Sequence, residues 1–162
     1  MLSTTSQYAL RALCHLARQS SKAVLGRDLA QSVDIPANYL SKILLTLRNA
    51  GLVDTTRGSG GGYRLRKTAT HIYLIDVVEL FEDISRTKPP CFLGRARACS
   101  EAIPCSAHSS WKGLQAAYLT FLVSTSLSAI AGNPGDVWPG SDGDASSSQT
   151  LQEPCHPLEV RK

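Results

Sequence analysis

Residues 37–67 read ANYLSKILLTLRNAGLVDTTRGSGGGYRLRK and combine two patterns on which the predicted fold depends. The first pattern is helical, because apolar residues recur three and four positions apart: Leu40, Ile43, Leu44 and Leu47. This helix should end at Ala50-Gly51, where glycine adopts a left-handed conformation at little cost. The second pattern is a β-hairpin, with strands over 52–56 and 63–67 and a glycine-rich connection between them.

Two further helices are predicted before this stretch. The first covers 5–19, where one face carries the apolar side chains Tyr8, Ala9, Leu10, Leu13, Leu16 and Ala17, and Cys14 beside that face is expected to be a small core residue. The second is short, over 27–32, and ends at the turn Asp34-Ile35-Pro36. These helices form a helix-turn-helix and the hairpin is its wing. The expected fold class is mainly α with a small β-hairpin wing, closed by a helical segment over 75–84.

Polar side chains on the third helix and the hairpin are candidates for contact with DNA. The third helix carries Asn38, Ser41 and Lys42 on its outer side, and the hairpin carries Arg57, Arg64 and Arg66. Such arginines reach phosphates or a minor groove. A merely solvated helix face remains open for the first group. A nucleotide-binding loop is disfavoured for the glycines, because they lack the Gly-Lys-Ser/Thr ending and do not open a helix.

A second candidate site lies at residues 91–108, CFLGRARACSEAIPCSAH. Pro89 and Pro90 end any preceding helix, so an irregular loop carries Cys91, Cys99, Cys105 and His108. Clustered thiols in a chain without a secretory leader favour metal binding or redox sensing over disulfides. Arg95 and Arg97 lie in the same loop, where their charge would favour thiolates.

Three chemical interpretations of this loop stay open. Zinc fits the same donor count, although structural zinc usually takes cysteines in closer pairs than gaps of seven and five residues. A thiol switch without metal is another alternative. An enzyme with a cysteine nucleophile and His108 as base is the weakest, since no third orienting group is evident. The chain is therefore not expected to be an enzyme.

The C-terminal half divides into a helix and a tail. A long helix is predicted over 110–131, with a stripe formed by Trp111, Leu114, Tyr118, Phe121, Leu122 and Thr125. This stripe should pack partly on its own domain and partly on a second copy of the chain. The tail, 132–162, is rich in Gly, Pro, Ser and Asp and should be disordered, with Cys155 and His156 as bystanders.

The sequence thus predicts four regions: a winged helix-turn-helix DNA-binding domain over 1–88, a cysteine-containing cluster-binding loop over 89–109, a dimerisation helix over 110–131 and a disordered acidic tail over 132–162. Residues 1–90 carry twelve Lys and Arg against seven Asp and Glu, whereas the tail carries two against five. The basic end is where a polyanion would bind. Polar residues interrupt the most apolar run, 114–131, so no membrane span is expected and the protein should be cytoplasmic.

Together, the helix-turn-helix, the Arg57-to-Tyr63 wing, the Asp76-Val-Val-Glu79 segment and the three-cysteine loop closely resemble the Rrf-type winged-helix regulators. That family includes the iron–sulfur cluster regulator and the nitric-oxide-sensing repressor NsrR. The resemblance covers about residues 1–130. It implies a homodimeric repressor or activator on a palindromic DNA operator.

The resemblance also assigns residues. Cys91, Cys99 and Cys105 match the ligands of an iron–sulfur cluster, which we expect to be 2Fe–2S in preference to 4Fe–4S, and His108 matches the fourth ligand. Other members take that ligand from the partner's first helix, where this chain has the poorer ligands Gln7 and Tyr8. Asn38, Ser41 and Lys42 would lie over base edges and Arg57 at the minor groove. The gap between Cys91 and Cys99 is wider than is usual in the family.

The expected function is transcriptional regulation in response to redox state, nitric oxide or iron. The alternatives are a winged-helix regulator based on zinc or thiols, and a small metal-binding or electron-carrying protein whose basic half meets an acidic partner protein instead of DNA.

Overall fold

The computed structural model describes residues 2–19, 22–58, 60–84, 91–94 and 99–132. Its helices and strands, in chain order, are α1 (Thr4–Arg18), α2 (Gly26–Ser32), α3 (Ala37–Asn49), β1 (Val53–Thr56), β2 (Gly62–Leu65), a 3-10 helix (Ala69–His71), α4 (Leu74–Val78), α5 (His108–Ser124) and α6 (Leu127–Ala131). The predicted order of three helices, hairpin and further helices is confirmed. The short 3-10 helix was not predicted.

Helix α1 is the central element of the core. It begins after Ser3, whose hydroxyl oxygen accepts a hydrogen bond from the Ser6 backbone N–H at 3.2 Å and so caps the first turn. Its buried face includes Ala9, Leu13 and Leu16 and packs against α3 and α6. Cys14 is 2% exposed on the same helix, which confirms that it is a small core residue.

Helices α2 and α3 form the predicted helix-turn-helix. The turn between them contains Asp34 with a φ of 50°, a left-handed conformation that aspartate tolerates better than most residues. The helices meet through Leu29 of α2 and apolar residues of α3, including Leu40 and Leu44, all fully or almost fully buried. Helix α3 ends where Gly51 adopts a φ of 74°, as the sequence predicted.

The hairpin pairs β1 and β2 in antiparallel register, from Val53 opposite Leu65 to Thr56 opposite Gly62. Its second strand is also joined to Val24, because the backbones of Val24 and Tyr63 exchange two hydrogen bonds of 2.8 Å. Gly62 permits this approach: it has a φ of 153°, and a Cβ there would lie 2.3 Å from the Val24 carbonyl oxygen. The wing is thus attached to the segment before α2.

The last helices return to the winged domain, and here the structure differs from the prediction. One helix was expected over 110–131, but α5 ends at Ser124 and α6 begins at Leu127. Between them the backbone is extended: the Leu74 N–H donates to the Thr125 carbonyl at 3.0 Å, and the Leu127 N–H donates to the Ile72 carbonyl at 2.7 Å. These bonds replace intrahelical ones, so the helix is interrupted and α6 packs against α1.

Helix α4 is also shorter than expected. The segment 75–84 was predicted to be helical, but regular helix covers only Leu74–Val78 and turns continue to 81. The Leu80 N–H donates to the Val77 carbonyl and the Phe81 N–H to the Val78 carbonyl. These bonds span three residues, as in a 3-10 helix, so the chain is more tightly wound after the α-helix. In the part of the chain with described coordinates, no helix combines the length and apolar character that a bilayer crossing requires.

Glu82, just after α4, connects this region to the start of α1. One of its carboxylate oxygens accepts hydrogen bonds from the Ser3 backbone N–H at 2.8 Å and from the hydroxyl of Ser6, which is fully buried. Burial raises the pKa of Glu82, but the bonds from Ser6 and Ser3 outweigh it, so the pKa lies below its ordinary value. Burial and the negative charge of Glu82 raise the pKa of Tyr118 on α5.

A pH dependence of stability follows from Glu82. Because its pKa is depressed in the folded state, its stabilising effect is complete above the ordinary glutamate pKa of about 4.5 and is lost as the pH falls through the folded value. Glu82→Gln should therefore lower the melting temperature at pH 7 and reduce the difference in melting temperature between pH 7 and pH 3. The measurement is thermal unfolding by circular dichroism across that range. A variant with the wild-type pH profile would show that Glu82 contributes nothing to it.

Candidate functional site

The three loop cysteines converge in space although the first and the last lie fourteen positions apart in the sequence. The Cys105 Sγ lies 3.7 Å from the Cys91 Sγ and 3.5 Å from the Cys99 Sγ, and all three sulfurs lie within 4.8 Å of one another. Cys105 is buried and the other two are half-buried. None of the three forms a disulfide within the described residues, so their sulfurs could bind a metal.

His108 adds a nitrogen donor to this group. It is the first residue of α5, and its backbone N–H donates to the Cys105 carbonyl at 3.0 Å, which brings the start of the helix beside the third cysteine. Its Nδ1 lies 3.0 Å from the Cys99 Sγ. The structure therefore clusters the three cysteines that were predicted to be ligands and places His108 beside one of them, Cys99.

The clustering of the thiols affects their ionisation. A backbone hydrogen bond from Cys105 lowers the pKa of the Cys99 thiol, but desolvation and the neighbouring thiols of Cys105 and Cys91 raise it more, so the pKa lies above its ordinary value. The Cys105 and Cys91 thiols thus disfavour negative charge on Cys99. A metal cation reverses this effect, because the thiolate is the ligand and its charge is neutralised on binding.

The donor set fits a soft metal centre. Three clustered thiols with an imidazole beside one of them offer the ligand chemistry of iron–sulfur clusters and of tetrahedral zinc. The imidazole Nε2 is buried and has no hydrogen-bond partner within the described structure. The residues present thus suit either metal.

Two charged residues, Glu101 and Lys112, lie on the Nε2 side of the His108 ring. The Glu101 carboxylate lies 3.6 Å from the His108 Nε2 and also contacts the Lys112 ammonium group, one turn further along α5. The hydrogen bond from Lys112 and its positive charge hold the pKa of Glu101 below its ordinary value. Glu101 is therefore a carboxylate at neutral pH, beside a ring nitrogen that faces away from the thiols.

An apolar surface lies between the cysteine loop and the start of α5. The rings of Phe92 and Trp111 lie 5.4 Å apart between centroids and are tilted by 49°. With Ala107, Ser110 and Leu114 they line a cavity of about 210 Å³ at the start of α5. Phe92 and Leu114 are exposed, so the surface next to the cysteines is partly apolar.

The predicted DNA-contacting side chains lie on α3 and the hairpin, as the sequence indicated. Asn38, Ser41 and Lys42 are exposed on α3, and Arg57, Arg64 and Arg66 are exposed on or beside the hairpin. A surface cleft of about 310 Å³ separates the helix from the wing. The Ser41 hydroxyl donates to the Asn38 carbonyl at 2.9 Å, so its oxygen can still accept a hydrogen bond.

Three residues of these surfaces were missed by sequence reasoning. Arg48 lines the cleft in the last turn of α3, and its spacing from Ser41 and Lys42 on the helix could have revealed it. Lys112 follows His108 by four residues and so shares its helix face. Glu101 carried no local signal. Arg95, Arg97, Cys155 and His156 lie outside the described residues, as does the tail from 133 onward.

Similarity to solved structures supports the fold. CymR (YrzC), the global cysteine regulator of B. subtilis, superposes with a TM-score of 0.67 at 27% identity, over 81% of this chain and 95% of that one. T. potens IscR superposes with a TM-score of 0.60 at 23% identity, over 80% of this chain and 85% of that one. The mainly α architecture with a two-stranded wing is confirmed.

Curated relatives agree over a similar length. The IscR regulator of Cereibacter sphaeroides is 31% identical over 135 residues, 82% of this chain and 87% of that protein. IscR of Vibrio atlanticus is 33% identical over 131 residues, 80% of this chain and 73% of that protein. These relatives are transcriptional regulators and not enzymes, as predicted. The model of the Rrf2 family, described as "Iron-dependent Transcriptional regulator", matches residues 2–133. The chain belongs to the Rrf2 family of transcriptional regulators.

Proposed function

We propose that the protein is a cytoplasmic, homodimeric DNA-binding regulator that senses redox state, nitric oxide or iron through a metal cluster. The cluster is a 2Fe–2S centre held by Cys91, Cys99, Cys105 and His108. The observation that carries this proposal is the convergence of three thiols and one imidazole at the start of α5, directly beyond a winged helix-turn-helix.

Two arguments support iron and sulfide in this site. Thiolates are soft ligands that suit iron–sulfur clusters, and one imidazole in place of a thiolate raises the reduction potential and adds a position that can protonate or detach. The family model's description as iron-dependent supports the same metal. Such a centre responds chemically to oxidants, nitric oxide and iron supply.

Zinc is the second candidate, and the sulfur–sulfur distances favour it. A tetrahedral zinc ion with Zn–S bonds of about 2.3 Å separates its sulfurs by roughly 3.8 Å. The observed separations of 3.7 and 3.5 Å are close to this value. A two-iron cluster distributes its ligands over two metal ions, so the loop would have to widen to hold it. Metal analysis separates the two candidates.

The homodimer is supported by exposed apolar side chains on α5. Leu114, Leu119, Phe121 and Val123 are 60%, 39%, 50% and 52% exposed, so the helix carries apolar side chains that its own domain does not cover. A second copy of the chain related by twofold symmetry would cover some of them. Two α3 helices held about one DNA turn, roughly 34 Å, apart would read a palindromic operator.

The location of the cysteine loop suggests how metal and DNA binding are coupled. The loop joins the winged domain to α5, so an ordered metal centre fixes the position of α5 relative to that domain. If α5 forms the dimer, that position sets the distance between the two α3 helices. Loss or alteration of the cluster then changes occupancy of the operator.

The test is anaerobic purification followed by iron, sulfide and zinc analysis, an absorption spectrum and analytical ultracentrifugation. We expect a coloured dimer with iron and sulfide in equal amounts. Gel shifts with duplex DNA selected from a random pool should weaken steeply as salt rises. A colourless, iron-free protein would overturn the cluster, and a monomer would overturn the dimer.

Arg57 offers a direct test of the wing as a DNA contact. It is exposed at the tip of the hairpin, so Arg57→Ala should weaken DNA binding without unfolding the protein. If Arg57 neutralises one phosphate, the slope of log K against log salt should become shallower by about 0.9 per chain. The matched control is Arg161→Ala, which removes the same charge from the tail. Equal losses in both variants would indicate a long-range effect of net charge and no wing contact.

A further inference from the structure

We propose that Glu101 is a positioning residue for His108, and that Lys112 acts through Glu101. Neither residue is a metal ligand in this arrangement. The inference rests on the proposed metal binding by Cys91, Cys99, Cys105 and His108, and it concerns how the nitrogen donor among them is oriented.

The two ring nitrogens of His108 have different surroundings. Nδ1 faces the thiols, 3.0 Å from the Cys99 Sγ. Nε2 lies on the far side of the ring, is buried, and makes no hydrogen bond within the described structure. The side chain is 17% exposed, so the burial of an unpaired nitrogen carries a free-energy cost. The Glu101 carboxylate lies 3.6 Å from Nε2, and a small movement would bring it within hydrogen-bond distance.

The tautomer of the ring connects these two sides. Nδ1 can donate its lone pair to a metal only when it carries no proton, and in the neutral ring the proton is then on Nε2. A carboxylate that accepts from Nε2–H stabilises this tautomer and fixes the plane of the ring. Glu101 is in place to do this, since its oxygen faces Nε2 and not the thiols.

Lys112 keeps the carboxylate beside the ring. It follows His108 by four residues on α5, so both side chains lie on the same helix face, and its ammonium group contacts the Glu101 oxygen that faces the histidine. Backbone and side-chain bonds between Ser100 and Ile103, of 3.3 and 3.2 Å, form a turn around Glu101. The loop and the helix therefore place the carboxylate together.

The experiment measures how fast the full-length protein, purified anaerobically with its metal, releases that metal to excess EDTA. Loss of visible absorption reports the cluster, and a chromogenic indicator reports zinc if zinc is what the protein holds. Mutation of a residue that hydrogen-bonds to a metal-bound histidine typically lowers metal affinity or activity by about 10–100-fold. Glu101→Ala should accelerate release by about that factor. Glu101 is exposed, so the fold should tolerate the change.

Three further variants make the test specific. Glu101→Gln retains an oxygen that accepts from Nε2–H and should restore part of the wild-type stability of the site. Glu79→Ala removes the same side chain elsewhere and should release metal at the wild-type rate. Lys112→Met should accelerate release in the wild-type background but not in Glu101→Ala, because Lys112 acts through the carboxylate.

The outcomes separate this inference from the proposed function. Wild-type rates in Glu101→Ala would overturn the role of Glu101 while the metal centre stands. Equal effects of Lys112→Met in both backgrounds would overturn the role of Lys112. A wild-type protein that holds zinc would overturn the iron–sulfur proposal but leave the release experiment valid. A wild-type protein without any metal would overturn both.

Discussion

Cys99→Ala is expected to abolish the metal centre. Cys99 lies between another thiol and the imidazole. Its Sγ is 3.5 Å from the Cys105 Sγ and 3.0 Å from the His108 Nδ1. Its removal leaves two thiols and an imidazole without the group between them. Anaerobically purified variant should be colourless, with iron and sulfide near zero per chain.

DNA binding should change together with the metal. Coupling free energies between two sites are typically 1–3 kcal/mol, so affinity for the selected operator should shift by about 5–150-fold. The direction of the shift distinguishes a regulator that binds DNA with its cluster from one that binds without it. Fluorescence anisotropy with a labelled duplex measures this shift at constant salt.

The matched control for Cys99 is Cys155→Ala, which removes the same side chain from the tail and should retain colour and affinity. Operator affinity that is identical in wild type and Cys99→Ala, with the metal lost only from the variant, would show that the metal does not regulate DNA binding. Loss of colour in Cys155→Ala would instead mean that the tail supplies a ligand.

Leu122→Ala should produce the largest loss of stability on α5. Leu122 is fully buried, and it is the one buried residue of this helix in the described structure. Removal of a buried leucine side chain typically costs about 2–5 kcal/mol, because transfer free energy is lost and a cavity remains. Against a total stability of about 5–15 kcal/mol for a domain, this is a severe change. Urea unfolding followed by circular dichroism measures it.

A leucine on another helix provides the control for this experiment. Leu45 on α3 is 52% exposed, so Leu45→Ala should change the free energy of unfolding by much less. Similar losses in the two variants would indicate that Leu122 does not anchor α5 to the domain core. Trp111 fluorescence in Leu122→Ala would show whether the start of α5 remains in place when its far end is loosened.

Much of the winged domain could be predicted from local pattern. The apolar spacing in α3 predicted a helix with one buried face. The structure has this helix, with Leu40, Ile43, Leu44 and Leu47 buried, and it ends before Gly51 as expected. The interruption of the last helix at Thr125 could not be predicted in this way. It depends on hydrogen bonds to residues 72 and 74, which are distant in sequence.

The same contrast applies to the metal site. The clustering of the three cysteines could be predicted because they lie in one loop, and convergence of that loop requires only short-range folding. Glu101 could not be predicted, because its relation to His108 depends on how the loop folds back on α5. The stripe on α5 was identified, but its spacing does not reveal that Leu122 is buried whereas Phe121 is exposed.

Helix α5 is joined to the winged domain near its C-terminal end and carries the proposed metal ligand His108 at its N-terminal end. Its seventeen residues span roughly 25 Å, from His108 to the extended backbone at Thr125. A tilt of about 5° around Thr125 would therefore displace the opposite end by roughly 2 Å. In the proposed regulator, a movement of His108 on metal binding would therefore tilt the exposed apolar side chains of α5 relative to the winged domain.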